Sequence, residues 1–219
     1  AKNWKELLEL SEQLNYTKAP SIPHLQHWLS AVIAIDWLTG KRINEILILK
    51  RKDVVCTTKE IRLRFHVGKK HSKGSPIELQ PYQKSRTLEH KAVPWIKKYL
   101  VEYDLANSDQ EGYLFPSTNT QRTRTVNTKF TNGQGEKESR EYTYKDEGGH
   151  VYEENARYWL NKINLQLPPN KQIYFHYGRH SIGIKLAYQG KSDIQIAKIL
   201  DETPKAALEY TKHAGGLGD

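Results

Sequence analysis

Three short stretches of the 219-residue chain gather cationic and nucleophilic side chains. In Thr39-Gly40-Lys41-Arg42-Ile43-Asn44-Glu45, Gly40 interrupts one helical pattern and Arg42 opens the next. Backbone amides and the dipole at a helix start favour an anion, and a guanidinium there can grip a phosphate through two parallel hydrogen bonds. In Gly68-Lys69-Lys70-His71-Ser72-Lys73, three lysines crowd a turn between strand-like segments. An ammonium at such a tip can enter a nucleic-acid groove or protonate a leaving oxygen. In His176-Tyr177-Gly178-Arg179-His180, His176 and Arg179 stand three residues apart. That spacing puts both on one helix face, where they can address one phosphate. Tyr210 follows 31 residues after Arg179 and offers a phenol as nucleophile.

Each stretch also has a plainer reading. Arg42 alone reads as an ordinary exposed helix arginine. The lysine turn divides evenly between a nucleic-acid contact and a solvated charge run. His176 with Arg179 reads equally as a capping histidine beside a surface arginine. Tyr210 is one of 13 tyrosines, most of which must pack or line interfaces. His-Glu-x-x-His, a Gly-Lys-Ser/Thr phosphate loop and a paired-carboxylate signature are all missing from the sequence. The single cysteine, Cys56, excludes an intrachain disulfide and a cysteine-based zinc site. The sequence therefore predicts no metal and no cofactor.

Charge narrows the partner. Lys and Arg outnumber Asp and Glu by 34 to 25, a net charge of +9. An excess of that size points to a polyanion such as nucleic acid. The longest apolar run, Ala31–Ile35, stops at Asp36, whereas a membrane-spanning helix needs about 20 apolar residues. A lone cysteine fits a reducing compartment, so the expected location is cytoplasmic and DNA-associated.

The elements that position these residues follow from periodicity. Asn3–Leu14 predicts a short amphipathic helix, and residues 1–23 form that helix and a linker. From His24, apolar residues recur at helical spacing until Gly40, and Arg42–Leu49 resumes the pattern. Asp53 is expected to start a turn before a strand. Ile61, Leu63, Phe65 and Val67 alternate with polar residues, as in a half-buried strand, and Ile77 and Leu79 begin its return. Leu88–Tyr103 is again helical. Residues 117–150 form a polar insertion, where Asn132-Gly133 between Arg122–Phe130 and Glu136–Tyr144 predicts an exposed β-hairpin. The rest is helical: Tyr152–Leu165, Phe175–Gln189, Asp193–Leu200 and Pro204–His213. Ser192 with Gln195 makes a capping box, and Thr203-Pro204 caps the last helix. The fold class is mainly α with a small antiparallel β-sheet (α+β), in a single domain over residues 1–219.

Taken in order, the motifs resemble the catalytic domain of the tyrosine recombinases, the phage-integrase family. Thr39–Glu45, continuing through Leu49 to Asp53, is similar to the family's Thr-Gly-x-Arg-x-x-Glu segment and its tail. Lys69 stands where the family carries a hairpin lysine. Tyr113-Leu114-Phe115-Pro116-Ser117 resembles the segment before the later helices. His176–Ser181 matches the His-x-x-Arg-His-Ser/Thr box, and Glu209-Tyr210-Thr211-Lys212-His213 resembles the nucleophile segment. The resemblance runs from about Leu25 to His213. It departs at Leu200-Asp201-Glu202-Thr203, where the family usually carries a His or Trp in a Leu-Gly-His turn about nine residues before the tyrosine. Asp201 or Glu202 occupies that place. The insertion at 117–150 is a second departure. The chain has no methionine even at position 1 and lacks the family's N-terminal DNA-clamping domain, so the expectation is a catalytic-domain fragment.

The resemblance implies site-specific recombination or integration, with DNA cleaved and rejoined through a 3′-phosphotyrosyl intermediate without metal or ATP. It implies that Arg42 and Arg179 clamp the phosphate and that Lys69 is the general acid, ahead of Lys70 and Lys73. His176 would orient the phosphate or help take the tyrosine proton, and Tyr210 would attack. Lys41, Lys70, Lys73 and His180 are the expected DNA contacts. The implied partner is double-stranded DNA, bound by a homotetramer at synapsis and met by a monomer alone. A type IB topoisomerase, a telomere resolvase and an inactive DNA-binding module are the alternatives.

Overall fold

Helix α2, Trp28–Thr39, is the axis of the fold. Its sequence is apolar on every side, and every residue except Trp37 is buried, as a helix without a polar face requires. The computed structural model describes residues 4–16, 25–57, 60–68, 79–87, 90–106, 109–117, 121–131, 137–147 and 149–215. Around α2 pack α1 (Trp4–Gln13), α4 (Val93–Ala106) and α5 (Glu153–Asn164). Trp4 of α1 stacks on Trp37, with ring centroids 5.3 Å apart, and meets Tyr177 edge-on. The predicted helix from Leu88 begins instead at Val93. Pro94 lacks an amide hydrogen and is tolerated only in a helix's first turn, so the helix starts immediately before it.

The short helix α3 (Ile43–Leu47) leads through a 3₁₀ turn, Arg51–Asp53, into a three-stranded antiparallel sheet. Asp53 Oδ2 accepts the Lys50 amide at 3.1 Å, which places it in the turn, as expected. Strands β1 (Val54–Cys56), β2 (Glu60–Gly68) and β3 (Leu79–Thr87) lie in sequence order. Ile61, Leu63 and Phe65 face the core and Arg62 and Arg64 do not, so the predicted alternation holds over this stretch. The β2–β3 pairing ends at Gly68↔Leu79, which leaves Lys69, Lys70, Lys73 and Ile77 outside the described residues.

The insertion carries a long two-stranded ribbon, β4 (Gln121–Thr131) and β5 (Lys137–Glu147). The strands pair from Gln121↔Glu147 to Thr131↔Lys137, and Asn132-Gly133 lies outside the described residues. At its base, Ser117 donates to the Gly149 carbonyl at 2.9 Å and Val151 to Phe115 at 2.8 Å. Both ends of the insertion thus leave the core at one point, which lets a long insertion protrude without disturbing the packing beneath.

Three helices close the chain: α6 (Tyr177–Tyr188), α7 (Asp193–Leu200) and α8 (Pro204–Gly215). They form a second apolar cluster of Ile196, Ala197, Leu200, Ala207 and Tyr210, flanked by Ile182 and Ile184. The predicted caps are present. Ser192 Oγ accepts the Gln195 amide at 3.3 Å, and Thr203 Oγ1 accepts that of Ala206 at 3.2 Å. Helix α6 starts two residues later than expected because His176 adopts φ 89°, a left-handed conformation that helical residues do not take.

The two clusters meet where α2 ends and α6 begins. Gly40 ends α2 at φ 62°, and a β-carbon there would lie 2.9 Å from Arg179 Cα. A β-carbon on Gly178 would lie 2.2 Å from the Asp36 carbonyl oxygen. Gly178→Ala should therefore destabilise the chain by about 2 kcal/mol or more, against the ~1 kcal/mol that alanine normally adds to a helix. Urea denaturation measures this, and an unchanged midpoint would show that the two helices part without cost.

Candidate active site

The two arginines of the sequence motifs come from different elements and converge on one oxygen. Arg42 stands immediately before α3, and its Nη2 donates to the Asp201 carbonyl at 3.1 Å. Arg179 lies in the first turn of α6, and its Nη2 donates to the same carbonyl at 3.2 Å. Asp201 ends α7 at φ 55°, a left-handed position usually taken by glycine. The final carbonyls of α7 are the electronegative end of that helix and have no partner within it. Leu200 and Asp201 turn them toward the guanidinium groups.

Carboxylates hold the arginines in place. Glu45 accepts the Arg42 amide through Oε2 and the Arg42 guanidinium through Oε1, both at 3.1 Å. Arg179 is only 5% exposed and spends every nitrogen of its guanidinium. Nε donates to Glu202 Oε2 at 3.3 Å, Nη1 to the Gly40 carbonyl at 3.2 Å, and Nη2 to the carbonyls of Leu200 and Asp201. A buried guanidinium held by three backbone carbonyls and a carboxylate has little freedom to turn.

Tyr210 lies on α8 against α6, 5% exposed. Its ring occupies the space above Gly183, where a β-carbon would approach it to 2.7 Å. The exposed His180 ring meets it edge-on, with centroids 5.6 Å apart. Burial first, then the negative charge of Glu202, push the phenol up to about 12, and Arg179 pulls the other way. His176 shifts in the opposite direction. Burial lowers it, and the positive charges of Arg179, Arg157, His180 and Arg42 lower it further, so the imidazole is neutral at neutral pH. Its Nδ1 is buried with no hydrogen-bond partner among the described residues.

The structure brings Arg42, Arg179, His176, His180, Tyr210, Asp201 and Glu202 together. Lys41 departs from its expected place on a DNA-contacting surface. It is 2% exposed, with its ammonium 4.0 Å from Glu45 Oε2 and 5.7 Å from the centroid of the Phe65 ring. The turn at Gly40 points this side chain inward over β2, and burial lowers its pKa against the pull of Glu45 and Asp201. Lys69, Lys70 and Lys73 lie outside the described residues, although β2 passes Lys41 at Phe65 on its way to Gly68. Sequence reasoning missed the orienting role of Glu45, the contact of Gly183 with the tyrosine, and Asp36. Asp36 sits buried behind Gly178, and its only sequence signal was a lone acid ending an apolar run. Among the described residues, no group of three His, Cys, Asp or Glu could hold a metal, and no helix is long and apolar enough to cross a membrane.

The model of the phage integrase family matches residues 4–213, and the chain belongs to that family. Among solved structures it is similar to the XerH site-specific recombinase bound to its difH substrate in a pre-cleavage complex. That match has a TM-score of 0.55 and 19% identity, over 96% of this chain and 49% of that one. The XerA recombinase gives a TM-score of 0.51 and 17% identity, over 95% of this chain and 56% of the other. The chain thus spans about half the length of the structures it matches. No curated protein matches it. These likenesses give a mainly α tyrosine-recombinase catalytic fold.

The charge of Glu202 is one of the groups holding the phenol high, so its removal should show on the tyrosine. Glu202→Gln should bring the Tyr210 pKa down from about 12 toward the ordinary value of about 10. A titration of ¹³Cζ-labelled tyrosine, with Tyr210→Phe to assign the resonance, reads the shift. An unmoved resonance would mean that burial alone sets it.

Proposed function

We propose that this member of the phage integrase family cleaves and rejoins double-stranded DNA through Tyr210, as a site-specific recombinase or integrase. The observation that carries the reading is the convergence of Arg42 and Arg179 on one acceptor oxygen. Two cations from separate elements, aimed at one atom beside a phenol, suit a group with several negatively charged oxygens. The similarity to XerH site-specific recombinase, solved with its difH substrate before and after cleavage, supports a DNA phosphodiester as that group.

A phenol is a weak nucleophile at neutral pH. Attack becomes feasible when charge developing on the phosphorus oxygens meets fixed donors that need no reorganisation. In this reading a non-bridging oxygen takes the place of the Asp201 carbonyl between Arg42 and Arg179. The neutral His176 holds the second oxygen. Tyr210 Oη forms a bond to phosphorus and gives its proton to the Glu202 carboxylate. The bond from phosphorus to the 5′-oxygen breaks, and Lys69 protonates that oxygen. The product is a 3′-phosphotyrosyl link. It conserves the phosphodiester energy, so a free 5′-hydroxyl can reverse the step without ATP or metal. Lys70 and Lys73 are the remaining candidates for the acid, and His180 borders the attacking ring. A homotetramer on DNA would carry out strand exchange, and the free chain would be a monomer.

Nicked duplexes that trap a cleaved strand test this directly. With chelator present, wild type should form a covalent protein–DNA adduct that maps to Tyr210 and is lost in Tyr210→Phe. Arg42→Ala should keep DNA affinity within about threefold and lose adduct formation by about 10³-fold, the scale of a removed transition-state donor. Glu202→His, which keeps a proton acceptor, should retain the reaction, whereas Glu202→Ala should slow it by about 10²-fold or more. An adduct with relaxation of supercoils but no strand exchange would reassign the chain to the type IB topoisomerases. DNA binding without any adduct would leave a binding module.

A further inference from the structure

Asp36 is a carboxyl that the proposed chemistry leaves unused, yet it lies directly behind the residues that carry it. It sits on α2, 2% exposed, four residues before Gly40. Its Oδ2 accepts the Gly178 amide at 3.4 Å, and its Oδ1 is buried with no hydrogen-bond partner among the described residues. Gly178 stands between His176 and Arg179 in the first turn of α6. The His176 side chain makes no cap hydrogen bond to that turn. An amide in a helix's first turn needs an acceptor from outside the helix, and Asp36 supplies it from across the interface.

We infer that Asp36 is a positioning residue, whose carboxylate fixes the first turn of α6 and with it His176 and Arg179. The inference rests on the function proposed above. The close packing holds the carboxyl against that turn, because Gly178 approaches the Asp36 backbone so nearly that a β-carbon there would lie 2.2 Å from the Asp36 carbonyl oxygen. Nor is the carboxyl there for stability. Burial raises its pKa to about 7, while the Gly178 amide and then the positive charge of Arg179 pull it down. A folded-state value above the unfolded one means that the folded chain holds a proton the unfolded chain has already lost. Stability therefore falls as the pH rises from about 4 to about 7, and the loss is complete above that. A neutral asparagine would avoid this loss and keep an acceptor for the amide. What it lacks is the charge, and hydrogen bonds to ionised acceptors are the stronger ones.

The hold of Asp36 should thus tighten as it ionises near neutral pH. Arg179 is the charged group that acts on it, and burial moves the His176 imidazole below its ordinary value while it moves Asp36 above its own. The test compares wild type with Asp36→Asn between pH 5.5 and 8.5. The Gly178 amide resonance of wild type should titrate with a midpoint near 7, and that transition should vanish in the variant. The rate of Tyr210 adduct formation, wild type over variant, should rise from about one at pH 6 to about fivefold at pH 8, with DNA affinity unchanged. A ratio independent of pH, or a wild-type Gly178 resonance with no transition near 7, overturns the inference. A Gly178 transition in wild type, with no adduct at any pH, would overturn the proposed function and leave Asp36's hold on the turn standing.

Discussion

The site depends on a contact between two backbones. Helix α2 and helix α6 touch at Gly178 and Gly40, and a side chain at either position would force them apart. That approach lets Arg179 reach the Gly40 carbonyl and lets both arginines reach Asp201. Arg42 follows the end of one helix and Arg179 opens another, so their relation is set by helix packing rather than by loop conformation. Interiors packed as densely as crystals transmit small shifts, and a displacement of a few tenths of an ångström at the glycines would reach both guanidinium groups. The tyrosine is fixed by the same device, since Gly183 lets α8 bring the Tyr210 ring onto α6.

Electrostatics explains why these charges can be gathered before any substrate arrives. Arg42, Lys41 and Arg179 would repel one another in a medium of low polarity. Glu45, Glu202 and the carbonyls at the end of α7 compensate them, with acceptors for every nitrogen of the Arg179 guanidinium and a carboxylate 4.0 Å from the Lys41 ammonium. The arrangement is neutralised by groups of unequal permanence. Glu45 belongs to the same short helix as Arg42 and moves with it. The Leu200–Glu202 turn joins two helices of the smaller apolar cluster and reaches the end of α2 through Arg179. In the proposed reaction a phosphate oxygen would compete with the Asp201 carbonyl for both arginines, while Glu45 keeps its hold on Arg42.

Much of this was legible in the sequence, for reasons that differ by element. Helix α7 matched its predicted bounds because Ser192 and Gln195 cap it locally and Asp201 breaks it. The ribbon at 121–147 was legible from its turn dipeptide and the polar tract around it, although its strands run farther than predicted. Arg42, Arg179 and Tyr210 could be singled out because their spacing within motifs survives in one dimension. Lys41 could not be placed, since a lysine beside an arginine at a helix start reads as surface, and only the course of β2 beneath it shows the inward turn. Asp36 was invisible for a related reason. A single acid ending an apolar run means nothing until the partner helix, more than a hundred residues later, places an amide against it.

Under the proposed function the acid at position 202 looks out of place beside a phosphate until its neighbours are considered. An isolated carboxylate there would repel the substrate. Paired with Arg179, it instead keeps a buried guanidinium compensated and in register while the site is empty. The same carboxylate helps hold the Tyr210 phenol in its neutral form. Keeping the proposed nucleophile protonated would cost reactivity in the resting state, but an ionised phenolate near Arg179 would pair with it. Glu202 and the α7 carbonyls thus keep the cations apart from the phenol, and each of these contacts lies where an incoming anion would compete for the same donors. In the proposed reaction the turn that orders the resting arginines is also the one that a phosphate would compete with.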